Sequence, residues 1–266
     1  MPVLVVHGDR EYLVEPGDEL GTDLGVLAVP TDVEPGQILE THLGTEFRVR
    51  PLRGPDLFHH FERTGAPMVP RDVGLIIGET GIGVGDRVLD AGTGTGVLAA
   101  TMARAGASVL TYERDPDAAA VARANVALAG VSDDVDVVTG DVTEAITSVA
   151  AGADGADERS VDMATSTPFD VITLDTADAP AVVERAPELL VDGGFLAAYS
   201  PFVENAREVV LAAGRAGLAD IRTHETIQRE MDFDERGSRP TTAPVGHTGY
   251  LTVARSDAGS TTEEEH

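Results

Sequence analysis

Three carboxylates and a run of alternate glycines are the residues of this chain that could do chemistry. Glu113, Asp141 and Asp175 each stand where a short apolar segment ends: Ser108–Glu113, Val135–Thr139 followed by Gly140 and Asp141, and Phe169–Asp175. Upstream, Arg87-Val88-Leu89-Asp90-Ala91 runs into Gly92, Gly94 and Gly96, with Thr93 and Thr95 between them. Val97 and Leu98 then open an apolar helical stretch. Glycine lets a backbone pass close beneath a ligand, and the free N–H groups at a helix start favour a negative group. A carboxylate about 20 residues beyond such a turn can accept both hydroxyls of a ribose. Glu113 has that place. Asp141 is placed to accept from an adenine amino group. Asp175 stands at the carboxyl edge of its strand, where open α/β sheets bind ligands. Three acceptors at successive strand ends suit a ligand rich in donors.

Alternating strands and helices must position these groups. Arg87–Ala91, Ser108–Glu113, Val135–Thr139, Phe169–Asp175 and Phe195–Ser200 read as strands. Helices are expected from Pro70 to Thr80, from Asp115-Pro116 to about Gly130, over Ala179–Val191 and over Phe202–Ala216. Ile221–Gln228 and Gly249–Ala254 read as a closing antiparallel pair. Residues 1–60 differ: short alternating runs separated by Gly and Pro imply a small N-terminal β-domain, a barrel in its simplest form. Leu57–Arg63 reads as a helical link to a second domain over 61–255. Residues 151–168 are Ala, Gly, Asp, Ser and Thr, the composition of a solvated, flexible insertion, and 256–266 of a disordered acidic tail.

The glycine pattern is D-x-G-x-G-x-G rather than the dinucleotide fingerprint G-x-G-x-x-G. It resembles motif I of the class I S-adenosylmethionine (SAM)-dependent methyltransferases. That resemblance implies an α/β fold with a Rossmann-like, mostly parallel seven-stranded sheet. It also implies SAM as cofactor, held by Gly92, Gly94, Thr95, Gly96, Val97, Leu98, Glu113, Asp141 and Asp175.

Other stretches resemble one family more closely. Thr41-His42-Leu43-Gly44-Thr45-Glu46-Phe47, Arg63-Thr64-Gly65-Ala66-Pro67-Met68-Val69-Pro70-Arg71-Asp72-Val73-Gly74, Gly81-Ile82-Gly83-Val84-Gly85-Asp86, Tyr199-Ser200-Pro201, Arg229-Glu230-Met231, Arg239-Pro240 and Val245-Gly246-His247-Thr248-Gly249-Tyr250-Leu251 are similar to segments of the tRNA (adenine-N1)-methyltransferases that act on the T-loop, archaeal type. The resemblance implies methyl transfer to N1 of adenine 58, with adenine 57 as a further target. It implies a homotetramer binding the tRNA T-arm in the cytoplasm. Asp175 matches the catalytic acid and Tyr199 a tyrosine near the target base. The chain departs from the pattern at Val69, where the family has an aromatic, and at Ala66-Pro67-Met68, where it has Gln followed by Ile or Val. It departs again at Asp175-Thr176-Ala177-Asp178-Ala179-Pro180, where the family has Asp-Leu-Pro-x-Pro. Two other readings keep the same core: a methyltransferase of a small molecule or a protein, and a non-catalytic tRNA-binding paralogue. His247 is no required base, because N1 of adenine carries a lone pair; it reads as a structural or interface residue.

Composition narrows the setting. The 266 residues contain no Cys, which excludes disulfides, a thiol nucleophile and a Cys-based zinc site; no metal is expected. No apolar run is long enough to span a bilayer, and no signal-peptide pattern opens the chain. Acids number 46 against 19 bases, every base is Arg, and the net charge is −27. This resembles the proteins of salt-in halophiles, of a haloarchaeal kind. Most of these acids therefore read as a solvated surface, and the charge at face value weighs against any nucleic-acid partner; DNA is not expected. Two arginine groups stand against it: Arg48, Arg50, Arg53, Arg63 and Arg71, and Arg229, Arg236 and Arg239. Each could be a phosphate-binding face or simply pair with nearby acids.

Self-repulsion at this charge is screened at molar salt, where the Debye length is about 3 Å. The melting temperature is expected to rise steadily as KCl increases from about 0.1 M to several molar; a flat or falling curve in a thermal scan would contradict the halophilic reading.

Overall fold

The computed structural model describes residues 2–151, 168–244 and 246–257. The expected disorder of the 151–168 insertion and of the 256–266 tail therefore lies almost wholly outside the described residues. The N-terminal strands come first. They are β1 (Val3–His7), β2 (Arg10–Val14), β3 (Glu19–Thr22), β4 (Gly25–Ala28), β5 (Ile38–Glu40) and β6 (Glu46–Pro51). Four of them form an antiparallel sheet in the order β2-β1-β6-β5, and β3 and β4 make a separate hairpin. Val3, Val5, Phe47 and Val49 from one face of that sheet bury against Leu27 and Val29. The barrel expected from the sequence does not close: β2 and β5 remain edges, and the hairpin covers the apolar face instead.

Helix α1 (Gly54–His60) follows, then α2 (Pro70–Thr80). Pro70 sits in the first turn of α2, where its missing N–H costs nothing, and Gly81 ends the helix in the left-handed conformation. Beyond it come β7 (Arg87–Ala91), α3 (Val97–Arg104), β8 (Ser108–Glu113), α4 (Pro116–Leu128), β9 (Val135–Thr139), α5 (Val142–Ala151) and β10 (Phe169–Leu174). Asp115 caps α4 through its side chain, accepting from the N–H groups of Asp117 and Ala118.

The long helix expected over 179–191 is broken. Ala179–Val183 (α6) and Ala186–Leu189 (α7) are separate short turns, and β11 (Leu190–Ser200) starts earlier than expected. Pro180 and Pro187 each open a new helix rather than extend one. Then come α8 (Val203–Arg215), β12 (Ala219–Glu225), a hairpin of β13 (Met231–Asp234) and β14 (Gly237–Pro240), and β15 (Tyr250–Arg255). The hairpin has no counterpart among the expected strands, because charge and Gly obscure any alternation over 231–240.

The main sheet runs β12-β15-β11-β10-β7-β8-β9. β9, β8, β7, β10 and β11 are parallel, and β15 is antiparallel to both β11 and β12. Successive residues point to opposite faces. Val88, Val109, Val171 and Val253 join the core under α1–α4, whereas Leu89, Ile172, Leu196 and Ala254 join the core on the opposite face, with residues of α5–α8. Both faces are covered, which is why these strands read as nearly continuous apolar runs. Because β7, β8, β9 and β10 are parallel neighbours, their carboxyl ends lie side by side.

Buried Asn125 on α4 fastens the chain between the two sheets to this edge. Its amide donates to the carbonyls of Glu62 (2.9 Å) and Thr95 (2.8 Å), and its carbonyl accepts from the N–H of Glu62 (3.0 Å). Asn125→Ala would strand these groups without partners. The expected cost is about 2–4 kcal/mol, read as a lowered melting temperature at fixed KCl; a change under about 0.5 kcal/mol would show the tie to be dispensable.

Candidate active site

The carboxyl edge of the sheet opens into a cleft with three parts. Asp175, the residue after β10, lines all of them. One part, about 310 Å³, lies between the glycine turn and the ends of β8 and β9, with Gly92, Glu113, Arg114, Asp141 and Asp178 around it. A second, about 170 Å³, lies under the segment Thr64–Met68 and against Gly92–Leu98. A third, about 320 Å³, is walled by Pro180, Tyr199, Phe202 and Asn205. The residues singled out from sequence are thus brought together. Gly92, Gly94, Thr95, Val97, Leu98, Glu113, Asp141 and Asp175 line the first two parts, and Tyr199 lines the third. Gly96 stands behind the turn as the N-cap of α3. A separate apolar cavity of about 280 Å³ between α1, α2 and α3 holds none of the strand-end acids.

The turn is built tightly against Asp175. The N–H of Asp175 donates to the carbonyl of Ala91 at 2.8 Å, extending the β7–β10 ladder by one residue. Gly92 has φ of +91°, and a Cβ there would fall 2.1 Å from the carbonyl oxygen of Asp175. Only glycine allows the turn and the end of β10 to meet. Behind them, Asp90 is buried in the sheet. The register sets Thr111 of β8 and Thr173 of β10 opposite it, and both hydroxyls donate to its carboxyl at 2.5 Å. Burial nevertheless pushes the Asp90 carboxyl above the usual range, against the lowering by these two hydroxyls.

The strand-end acids have different states. Glu113 accepts from the N–H of Gly94 at 2.9 Å and of Asp115 at 3.0 Å. Glu113 thus also fastens the glycine turn through the Gly94 N–H. Each Glu113 oxygen keeps a second lone pair for a hydroxyl donor. Asp141 is held below the usual carboxylate range, chiefly by the Thr143 hydroxyl at 2.6 Å, with the Thr143 N–H and Arg114 adding. Asp175 goes the other way. Its surface opens onto the cleft, yet it lies low between packed walls, and desolvation with the nearby charge of Asp90 pushes its carboxyl up to about 7.

Other participants were not apparent in the sequence. Arg114, next after Glu113, forms an ion pair with Asp178 at 2.8 Å and reaches Asp141 at 3.7 Å, bridging two loops across the mouth of the first cavity. Its only sequence signal was adjacency to a strand-end acid. Arg71, grouped in the sequence with possible phosphate-binding arginines, instead donates to the carbonyl of Gly246 (3.1 Å) and to Thr248 Oγ1 (2.9 Å). Thr248 lies beside the Tyr199 hydroxyl, whose pKa burial holds above its ordinary value despite the lowering by Thr248, so it stays protonated. Gly249 is required here as well, because a Cβ would fall 2.5 Å from Tyr199 Cζ. His247 bonds Glu225 at 2.9 Å and the carbonyl of Pro201 at 3.3 Å and packs on Tyr250. Those contacts agree with a structural reading of His247.

An acceptor-rich, partly anionic cleft beside a glycine turn fits SAM, which carries ribose hydroxyls, an amino group on adenine, an ammonium and a sulfonium. Glu113 and Asp141 would accept from the hydroxyls and the adenine amino group, and Asp175 would face the cationic end. The turn at Gly92–Leu98 would carry the remainder. When bound, SAM supplies an electrophilic methyl group. The fold and this cleft define a class I SAM-dependent methyltransferase.

Comparison with known proteins agrees. Residues 88–194 match the family model described as a methyltransferase domain. The chain is 32% identical over 274 aligned positions, 95% of its own length and 94% of the relative's, to the tRNA (adenine(57)-N(1)/adenine(58)-N(1))-methyltransferase TrmI of Methanocaldococcus jannaschii. It is 30% identical to a tRNA (adenine(58)-N(1))-methyltransferase TrmI of Thermus thermophilus, covering 83% of this chain and 81% of the relative. Among solved structures it is similar to a SAM-dependent O-methyltransferase from Thermotoga maritima, with a TM-score of 0.77 and 25% identity over 96% of this chain and 92% of that one. The chain belongs to the TrmI family of tRNA (adenine-N1)-methyltransferases.

A cation binds beside Asp175 more favourably when its carboxyl is ionised. SAM affinity, measured by calorimetry, is therefore expected to strengthen as pH rises through about 7, and Asp175→Asn should flatten that dependence. A pH-independent affinity in the unaltered chain would separate Asp175 from the cationic part of the cofactor.

Proposed function

We propose that this chain methylates N1 of adenine 58 in the tRNA T-loop, with adenine 57 as a second target. The observation that carries this reading is the place of Asp175: it lines the cofactor cleft and the adjoining cavity at Tyr199, so one carboxylate can serve both reactants. Adenine N1 is the nucleophile, and methylation leaves the base cationic unless N6 loses a proton. Ionised Asp175, accepting from N6–H, raises electron density at N1 and stabilises the developing charge. Tyr199 supplies an oriented wall, and holding N1 in line with the transferred methyl contributes much of the remaining acceleration. The target adenine leaves its stack to reach the cavity. The names of the two TrmI relatives support this choice, and the Methanocaldococcus name supports the second position. Val69 lacks the family aromatic and so one stacking contact, while Phe202, two-thirds exposed, offers an aromatic face on the Tyr199 cavity.

Within this reading, residues 1–60 form the domain for tRNA docking and subunit contacts, and 61–255 the catalytic domain. The working form is a homotetramer in the cytoplasm of a halophile, and DNA is no substrate. A second reading has one observation behind it, the likeness to an O-methyltransferase. A hydroxyl substrate would need a base, and a carboxyl titrating at about 7 could serve as one.

Methyl transfer from labelled SAM to an unmodified tRNA transcript at molar KCl separates the two. N1-methyladenosine at position 58, found by mass spectrometry, is the expected product. Asp175→Ala should lower kcat at least about 100-fold, with SAM binding weakened far less. Unlabelled tRNA with normal SAM binding would sink the proposal.

A further inference from the structure

Most arginines in the described residues already have partners. Arg10, Arg71, Arg185, Arg215, Arg236 and Arg239, among others, lie within 4 Å of a carboxylate. Arg104, Arg123 and Arg255 donate to main-chain carbonyls, and Arg63 stacks on Phe58. The guanidinium groups of Arg48, Arg50 and Arg53 have neither kind of partner among the described residues. On a chain with 46 acids and 19 bases, three exposed arginines left unpaired within six residues are a local exception to the charge balance. In the second arginine group two of the three behave differently: Arg236 and Arg239 are tied to Asp234 and Asp232 of their own hairpin, while Arg229 stands alone outside it, with no neighbouring arginine left unpaired beside it.

The three are also held in place. Arg48 and Arg50 lie on one face of β6, paired in register with Val6 and Leu4 of β1, which are buried. Their heads therefore project from a fixed strand at two-residue spacing, about 7 Å. Of the nearby acids, Glu11 is bonded by His60, and Glu46, two residues before Arg48 on the same strand face, lies next to the row. From Arg53 the chain runs through α1, only about 10 Å long, to Glu62. There Asn125 ties it to Thr95 of the glycine turn, and Thr64–Met68 then lines the cleft. The arginine row is thus joined by a short rigid path to the wall of the active site.

We propose that Arg48, Arg50 and Arg53 form a phosphate-binding row that grips the backbone of the RNA whose base enters the cleft. This rests on the functional reading above. Guanidinium binds phosphate bidentately and holds it where screened long-range attraction fails. That is the contact an acidic protein working in high salt needs.

The test uses the full chain and an unmodified tRNA transcript, with binding measured across a KCl series in which the protein stays folded. Arg48→Gln, Arg50→Gln and Arg53→Gln combined should weaken tRNA binding about 10- to 100-fold and reduce the slope of log K against log [KCl] by about 2 to 3. SAM affinity should be unchanged, which also reports intact folding. The Lys triple variant should recover part of the loss, and Arg236→Gln with Arg239→Gln should bind like the unaltered chain. Unchanged affinity and slope in the triple Gln variant would overturn the row. So would a changed oligomeric state by light scattering with tRNA binding intact, which would assign the arginines to a second copy. An unaltered chain that binds tRNA through these arginines but does not methylate it would leave the row standing and remove the functional reading.

Discussion

The contact between Gly92 and the backbone of Asp175 is the constraint on which the site depends. It exists because β7 and β10 are neighbours in the sheet, although β8 and β9 lie between them along the chain. The ladder between them is extended by the Asp175 N–H on Ala91, and the absence of a side chain at Gly92 lets the two turns close together. Asp90, with Thr111 and Thr173, pins the three adjacent strands just beneath. A buried carboxyl is costly unless its hydrogen bonds are met. Here two hydroxyls meet them, and the same buried group helps to raise Asp175.

That coupling divides the acids by environment. Glu113 and Asp141 sit at open strand ends with N–H or hydroxyl donors, which suits them to lasting contacts with neutral donors. Asp175 opens onto the cleft, yet desolvation and the nearby charge of Asp90 push its carboxyl up to about 7. One sheet edge thereby holds two carboxylates bonded by neighbouring N–H or hydroxyl donors and a third whose pKa is raised by its surroundings. The remaining wall is built from far along the chain. Arg71 at the start of α2 anchors residues 246–248, and Thr248 and Gly249 seat Tyr199. The C-terminal His-Thr-Gly run thus has a packing reason: one hydroxyl bond, and one missing side chain.

Charge works on a different scale. The net −27 is spread over a solvated surface, and most arginines of the described residues are absorbed locally by acids or carbonyls. Against that background, position matters more than number. Two groups of arginines that look alike in sequence differ in the fold. The hairpin of β13 and β14 supplies Asp232 and Asp234 to Arg239 and Arg236, while Arg48 and Arg50 on β6 form no ion pair among the described residues.

Much of this was legible from the chain alone, and for local reasons. Glycines at 92, 94 and 96 after an apolar strand define a turn, and acids closing successive β-segments must lie at one sheet edge once the β–α alternation is recognised. Near-continuous apolar runs located β7 to β10 because both faces of that sheet are buried. Pattern failed where side chains carry little of it: Pro180 and Pro187 split the expected helix, and the short polar strands at 231–240 offered no alternation to read. Sequence by itself determined the type of fold, the turn and the acids that line the cleft, since these follow from residue type and short-range spacing. Only the tertiary structure decided which acid would titrate near neutrality, that Arg114 would join Asp178, that Arg71 would reach Thr248, and which arginines would stay unpaired. Those outcomes depend on burial and on contacts between distant segments, and neither is a property of any stretch of sequence taken alone.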